Sequence, residues 1–435
     1  MMERQYKDSG IEWIGRIPKE WNTCKLKHVI ASMKSGGTPT SSDTSFYNDD
    51  GVSWVAIGDM VHCGDIKKTQ KHLSEKGLAD KQLEVFPIGT LLYSIYASVG
   101  KVSVLKIPAA INQAILALSP RQNVSPDYVK FLLVSMEQYV LSLANGNTQF
   151  NLNSSIVANL FVPSTSLPEQ QRIASYLDKK CGEIDELIAL QEKMIAQLTE
   201  YKQAVITEAV TKGLDPNAKL VPSGIEWIGD VPEGWKGFAP LKRFTTIILG
   251  KMLQSNVTDE NDTLEQYICA KDVHFEGVDY SDLKSMYFSK AEKEIYEVHR
   301  GDMLVVEGGA GAAGSAIVEK DIEKIYIQNS IMIVREIKDI DIKYVRYVLF
   351  SIVSRGYVDY ICNKATIPHF TKEKLSGTII PLPPLAEQHS IASYLDTKCS
   401  EIDSLIALKR QKIESLNAYK KSVIYEAVTG KTDIN

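Results

Sequence analysis

The six cysteines of this 435-residue chain (Cys24, Cys63, Cys181, Cys269, Cys362, Cys399) stand apart, with no CxxC pair among them. That scarcity excludes a zinc-finger ligand set and a disulfide framework. Seven histidines fail to cluster with carboxylates at ligand spacing, so no metal site is expected. His62 next to Cys63 is the only close pair, and chance explains it. No stretch approaches the ~18 unbroken apolar residues of a membrane span. The opening MMERQYKDSG is charged and lacks the apolar core of a secretory signal. The expectation is a cytoplasmic protein with no membrane contact.

Catalytic signatures are missing too. Gly309-Ala310-Gly311-Ala312-Ala313-Gly314 matches GxGxxG after the strand-like MLVVE, but SAIVEKDIEKIYI follows, rich in β-branched residues and unlike the phosphate-capping helix that a dinucleotide or S-adenosylmethionine site requires. A tight strand connection accounts for it, as for the lone Gly100 in SIYASVGKVSV. Gly430-Lys431-Thr432 resembles the end of a phosphate loop, yet Tyr425 occupies the place of the first glycine. There is no aromatic-flanked Asn-Pro-Pro of adenine methylation and no nuclease carboxylate set. No catalysis and no cofactor are expected in this chain.

Positive charge is also scarce, with a net charge of −5, although a phosphate-binding surface needs local positive potential. The distribution resolves this. Residues 22–166 carry 12 Lys+Arg against 10 Asp+Glu (+2), residues 167–235 carry 7 against 12 (−5), and residues 236–384 carry 19 against 21 (−2). Both end segments are neutral, so any nucleic-acid surface must be a patch.

What the chain does have is a repeat. SGIEWIGRIPKEW at 9–21 returns as SGIEWIGDVPEGW at 223–235, identical at 9 of 13 positions. Residues 167–211 and 385–429 match at 28 of 45, beginning LPEQQRIASYLD and LAEQHSIASYLD. Between the copies lie two blocks of similar length and little identity. The order divides the chain into a tag (1–21), a block (22–166), a helix (167–213), a second tag (214–235), a second block (236–384) and a last helix (385–435). A kept frame with diverged inserts implies tandem duplication and a pseudo-two-fold molecule, in which the first tag meets the last helix to close the ring.

The repeated segments are helical by period. Ile173, Leu177, Cys181, Ile184, Ile188, Ile195, Leu198, Val205 and Ala209 recur at steps of three, four or seven, and Ile391, Leu395, Cys399, Ile402, Ile406, Ile413, Leu416, Val423 and Ala427 repeat the stripe. Proline-rich starts open each helix and Gly213 and Gly430 are its stops. A helix of ~43 residues is on the order of 65 Å long. Matching stripes are best buried as an antiparallel coiled coil, leaving Tyr176, Tyr201, Tyr394 and Tyr419 at its flanks for a partner. Both blocks read as mixed α/β, with strands in VSWVAIGD, GTLLYSIYA, GDMLVVEGG and KIYIQNSIMIV. Each ends in a helix-like run (PDYVKFLLVSMEQYVLSLA; IKYVRYVLFSIVSRGYVDYI) before a polar turn, GNTQFNLN or NKATIPHF.

Trp13, Pro18 and Trp21 of the tag, Glu169-Gln170 and Glu387-Gln388, the two IASYLD helices and the polar turns at Thr148 and Thr366 together resemble the specificity subunit of a type I restriction-modification enzyme, over essentially the whole chain. The resemblance implies an α+β protein: two mixed α/β target recognition domains separated by two long antiparallel coiled-coil helices. It also implies a non-catalytic subunit reading an asymmetric, bipartite site on double-stranded DNA. Two methyltransferase subunits and restriction/translocase subunits would join it, and S-adenosylmethionine, ATP and Mg would bind on those partners. Two readers on a rod fix half-site spacing, one turn of DNA being roughly 34 Å, and diverged blocks on a kept frame suit changing base contacts with constant partner contacts.

In the first block Lys34, Ser35, Thr38 and Thr40 lie in KSGGTPT, a small polar loop suited to close approach to a phosphate or base edge; an ordinary surface turn is the alternative. The resemblance favours contact, since such domains often carry a Gly-Thr-Pro stretch. Ser98, Lys101, Thr148, Gln149 and Asn151 join them, because Gln and Asn pair bidentately with adenine. The second block departs from the pattern, its loop Gly250-Lys251-Met252-Leu253-Gln254 lacking Thr-Pro and its turn lacking the Asn. Lys251, Gln254, Lys364, Thr366 and His369 are its candidates, with His369 alternatively completing the turn's hydrogen bonds. A stand-alone DNA-binding regulator is the competing reading and predicts tight specific binding by the isolated chain. A self-contained restriction-methylation enzyme would need a methyltransferase motif.

Overall fold

The computed structural model describes residues 4–96, 98–144, 152–235, 237–309, 311–357 and 369–434. Two compact units emerge, Met1–Gln191 with Arg410–Asn435, and Glu192–Lys409. Each contains one tag, one block and half of each of the long helices Leu167–Lys212 and Leu385–Val428. Among the described residues no helix is long and apolar enough to cross a membrane.

In the first unit the tag is an antiparallel hairpin of Tyr6–Asp8 and Arg16–Pro18. The block's entry strand, Asn22–Lys25, pairs with its exit strand, Phe161–Ser164, so the insert leaves the frame where it enters. Between them Ile30–Ser35, Ile115–Pro120, Leu91–Ser94 and Val102–Leu105 form antiparallel neighbours, with Gly64–Ile66 added in parallel. A smaller sheet orders Ala110–Ile111, Tyr47–Val55 and Lys71–Leu73. Helix Pro126–Ser135 starts with proline in its first turn and Ser125 accepting from the Tyr128 amide, and buries Phe131, Leu132 and Leu133.

The second unit repeats the plan. Its tag pairs Leu220–Pro222 with Asp230–Pro232, and Phe238–Pro240 pairs with Ile379–Pro381. Its larger sheet runs Thr245–Leu249, Ile331–Glu336, Met303–Val306, Ser315–Ile317, and its smaller one Lys284–Phe288, Thr263–Ile268, Ile325–Ile327. The GxGxxG stretch closes a tight connection into the strand Ser315–Ile317, with the Val306 amide donating to the Gly314 carbonyl (2.8 Å). KIYIQNSIMIV, expected as one strand, is two in different sheets. The chain changes sheets at Gln328-Asn329-Ser330, where the Gln328 side chain accepts from the Ser330 amide (3.1 Å). Asn112 does the same for Ala114 in the first block (3.1 Å).

The long helices run antiparallel in both units. In the first, Ile173, Leu177 and Cys181 share a core with Val423, Ile424, Ala427 and Val428, and Asp185 meets Lys420 at 2.7 Å. In the second, Ile206, Ala209 and Val210 share one with Ile391, Leu395 and Cys399, and Lys202 meets Asp403 at 2.7 Å. These pairs are equivalent by the repeat and keep one register. The expected stripe is buried at its ends, whereas Ile188, Ile195 and Leu198 are only half-buried.

The expected meeting of tag and opposite helix is present, with Tyr425 donating to the Ile14 carbonyl (3.2 Å). The whole block joins it: Tyr128 of the first block donates to Val428 at the end of the second long helix (3.1 Å), and Tyr344 of the second to Val210 of the first (3.3 Å). Gly213 and Gly430 terminate the helices at φ +73°. A Cβ on Gly430 would come 2.6 Å from Pro18 Cδ, so the tag closes on the stop.

Candidate nucleic-acid interface

Strand register gathers three loops at one end of the first block's larger sheet. Ser35 and Tyr93 flank Leu116, and Ser94 faces Ile115, so the segments 36–40, 112–114, 95–96 and 98–101 all lie at that edge. Gly36 has no room for a side chain, because a Cβ would sit 1.8 Å from the Ile111 carbonyl oxygen. The Gly37 amide donates to that carbonyl (3.0 Å), and the Trp54 indole donates to the Gly37 carbonyl (3.1 Å). Thr38 hydrogen-bonds the Gln113 side chain, Pro39 is buried, and Ser35 and Thr40 are exposed. Lys34, half-exposed, pairs with Glu84 at 2.6 Å. In the third loop the Lys101 amide donates to Ser94 Oγ (2.9 Å), which itself donates to the Ser98 carbonyl.

Lys34, Ser35, Thr38, Thr40, Ser98 and Lys101 therefore share one sheet end. Sequence reasoning missed two neighbours there. Gln113 is exposed and bonded to Thr38, and Lys81 lies against Gly37. Gln113 had a signal, the amide pairs of INQA and IQNS at the same place in both blocks; Lys81 had none, being brought in by the fold. Replacing Gly36 with alanine should cost about 1–3 kcal/mol of stability and move the first loop off Ile111, read as a lower melting temperature for the first unit.

In the second block Gly250 makes the matching approach, its absent Cβ falling 2.4 Å from the Gln328 carbonyl oxygen. Lys251 corrects the expectation of an exposed contact. It is 8% exposed, with its ammonium 2.5 Å from Glu292, bonded to the Tyr287 carbonyl (2.9 Å) and 5.2 Å from the Phe288 ring centroid. The smaller sheet covers it, and burying an ammonium requires that carboxylate. Gln254 spends its amide on Asn256, Thr258 and Asp262, which organises the loop rather than leaving it open for a base. His369 is exposed beside the glycine-rich connection, bridged to Gly308, and the Phe370 amide donates to the Glu307 carbonyl (2.6 Å). Thr148, Gln149, Asn151, Lys364 and Thr366 lie outside the described residues.

His62 is partly buried in the first unit, 3.9 Å from Glu137. Burial pushes its imidazole below the ordinary value; Lys421, Lys101 and Lys420 act in the same direction, and Glu137 opposes them. Its unfolded form then takes up a proton more readily than the folded one. Stability is unaffected above about pH 6.5 and falls as pH drops below it. The His62→Gln variant should lose part of this fall in melting temperature between pH 7 and 5.

The four flanking tyrosines form two equivalent pairs. Tyr176 and Tyr419 both lie near Lys180, which is bonded to Glu183 at 2.8 Å, and Tyr394 and Tyr201 lie near Lys398, bonded to Glu401 at 2.8 Å. Tyr201, Tyr394 and Tyr419 are exposed, while Tyr176 is half-buried against the core. Among the described residues no group of three or more His, Cys, Asp or Glu side chains could hold a metal ion.

The profile of the Type I restriction modification DNA specificity domain matches residues 18–200 and again 232–418. The chain belongs to that family. Each match opens at the tag's proline, Pro18 or Pro232, and runs through block and helix, so the specificity-domain pattern coincides with the repeat. The specificity subunit of the type I restriction enzyme MjaIX from Methanocaldococcus jannaschii is 30% identical over 202 residues, 43% of this chain and 46% of that protein. The MjaVIII specificity subunit of the same organism is 23% identical over 431 residues, 96% of this chain and 94% of that one. Among solved structures, a chain of a type I R-M system matches with a TM-score of 0.69 at 17% identity, covering 96% of this chain and 99% of its own. This specificity-domain chain thus shares the fold across both units.

Proposed function

We propose that the chain is the DNA specificity subunit of a cytoplasmic type I restriction-modification system and is itself non-catalytic. One observation carries the reading: two blocks of unlike sequence share the same order of four antiparallel strands in their larger sheets and present, at the same sheet end, loops held by a glycine pressed against a carbonyl (Gly36 on Ile111, Gly250 on Gln328). A conserved scaffold with altered tips is what two readers of different half-sites need. Each block reads one half of a bipartite duplex target. The repeated helices set the spacing and offer the paired tyrosine faces to two methyltransferase subunits, with restriction/translocase subunits added for cleavage. S-adenosylmethionine, ATP and Mg act on those partners.

The test is single-base detection of N6-methyladenine in a methylation-free host carrying this gene with its methyltransferase gene, against the methyltransferase alone. Methylation at one split motif, only with both genes, is the expected result. Methylation without this chain, or none with both, sinks the proposal; specific DNA binding by the purified chain alone would then favour the stand-alone regulator.

A further inference from the structure

Met252 and Leu253 are 75% and 58% exposed, and Met252 is the most exposed large hydrophobic side chain among the described residues. Lone exposed apolar residues need no explanation, but these two are adjacent and rigidly displayed. On one side Lys251 is pinned by its buried ion pair, and its carbonyl accepts from the Asn329 amide (2.8 Å). On the other, the Gln254 carbonyl accepts from the Tyr287 amide (3.1 Å) while its side chain ties down Thr258 and Asp262. The loop thus holds two apolar side chains in water, on backbone anchored to the Gln328-Asn329 turn, whose own side chains hydrogen-bond each other. They occupy the place that Thr38 and Pro39 hold in the first block.

In the major groove an A·T pair presents the thymine methyl next to the adenine N7 acceptor and N6 donor. The thymine methyl is the apolar group on that edge, and an exposed apolar tip on a recognition loop complements it. We infer that Met252 and Leu253 are thymine-methyl readers, giving the second block a preference for an A·T pair in its half-site. This rests on the specificity-subunit reading above.

The test uses the complete complex with its methyltransferase. The split motif is read from the methylome, and exchanging residues 236–384 for those of another family member assigns the second block's half-site. Dissociation constants are then measured at one salt concentration on the cognate duplex and on duplexes in which single thymines of that half-site become deoxyuridine, which removes only the methyl. The wild type should weaken about fourfold for each methyl contacted. The doubly substituted Met252→Ser, Leu253→Ser complex should bind the thymine duplex more weakly and be indifferent to deoxyuridine, while keeping its melting temperature and its sensitivity to changes in the other half-site. A wild type indifferent to deoxyuridine, a variant that keeps the wild-type sensitivity, or a half-site without an A·T pair overturns the inference. Absence of any specific duplex binding by the wild-type complex overturns the specificity-subunit reading and the inference with it.

Discussion

Replacing Trp21 with alanine should destabilise the first unit by about 3–5 kcal/mol, in the range of large aromatic deletions from cores. Trp21 is 1% exposed and is the joint between tag, block and both long helices. Its indole donates to Glu169 Oε2 at 2.9 Å, the Arg4 guanidinium lies 5.6 Å from its ring centroid, and Gly430 packs against its edge. Burial pushes the Glu169 carboxyl up, but hydrogen bonds from Thr165, Arg4 and Trp21 outweigh this and hold it below the ordinary range. That contribution is present above the usual carboxylate range and lost as pH falls through it. For a unit of this size a loss of 1 kcal/mol is worth about 2–4 °C, so calorimetry should show a drop of roughly 10 °C confined to one transition. Trp21→Phe keeps an aromatic ring but loses the bond to Glu169 and part of the packing, so it should cost less than alanine, about 1–3 kcal/mol. The equivalent Trp235→Ala should act on the other transition, since Trp235 donates to Glu387 at 3.1 Å. Equal loss from both transitions in either variant would show that the units do not melt separately.

Lengthening the paired helices should abolish methylation at the native target and create it at one with a longer spacer and unchanged halves. The first long helix has 46 residues, about 70 Å at ~1.5 Å per residue, and passes from one unit into the other. An insertion in one helix alone would break the register that places Lys202 on Asp403. The informative variant therefore adds four residues after Thr199 and four after Leu405, positions that face each other in that register. One turn adds about 5.4 Å, against roughly 3.4 Å per base pair, so the spacer should grow by one or two base pairs. Methylation-site sequencing reads the outcome directly, and an unchanged spacer in a folded variant would refute the role of the helices as a ruler.

Much of this molecule is legible without coordinates because its organising features are local or copied. A 3.6-residue stripe, a proline-opened start and a glycine stop act within a few residues, and both long helices begin at Leu167 and Leu385 with Gly213 and Gly430 closing them. The repeat carries the rest, since a duplicated frame must bury the same faces twice; hence Asp185 on Lys420 and Lys202 on Asp403. Tertiary structure alone decided matters that depend on residues far apart in the chain. Gln328 breaks an apolar run whose halves find different sheets, and Glu292, 41 residues away, turns Lys251 from a surface cation into a buried one. Burial and strand partnership are set by what packs from elsewhere, and neither leaves a mark in the local sequence.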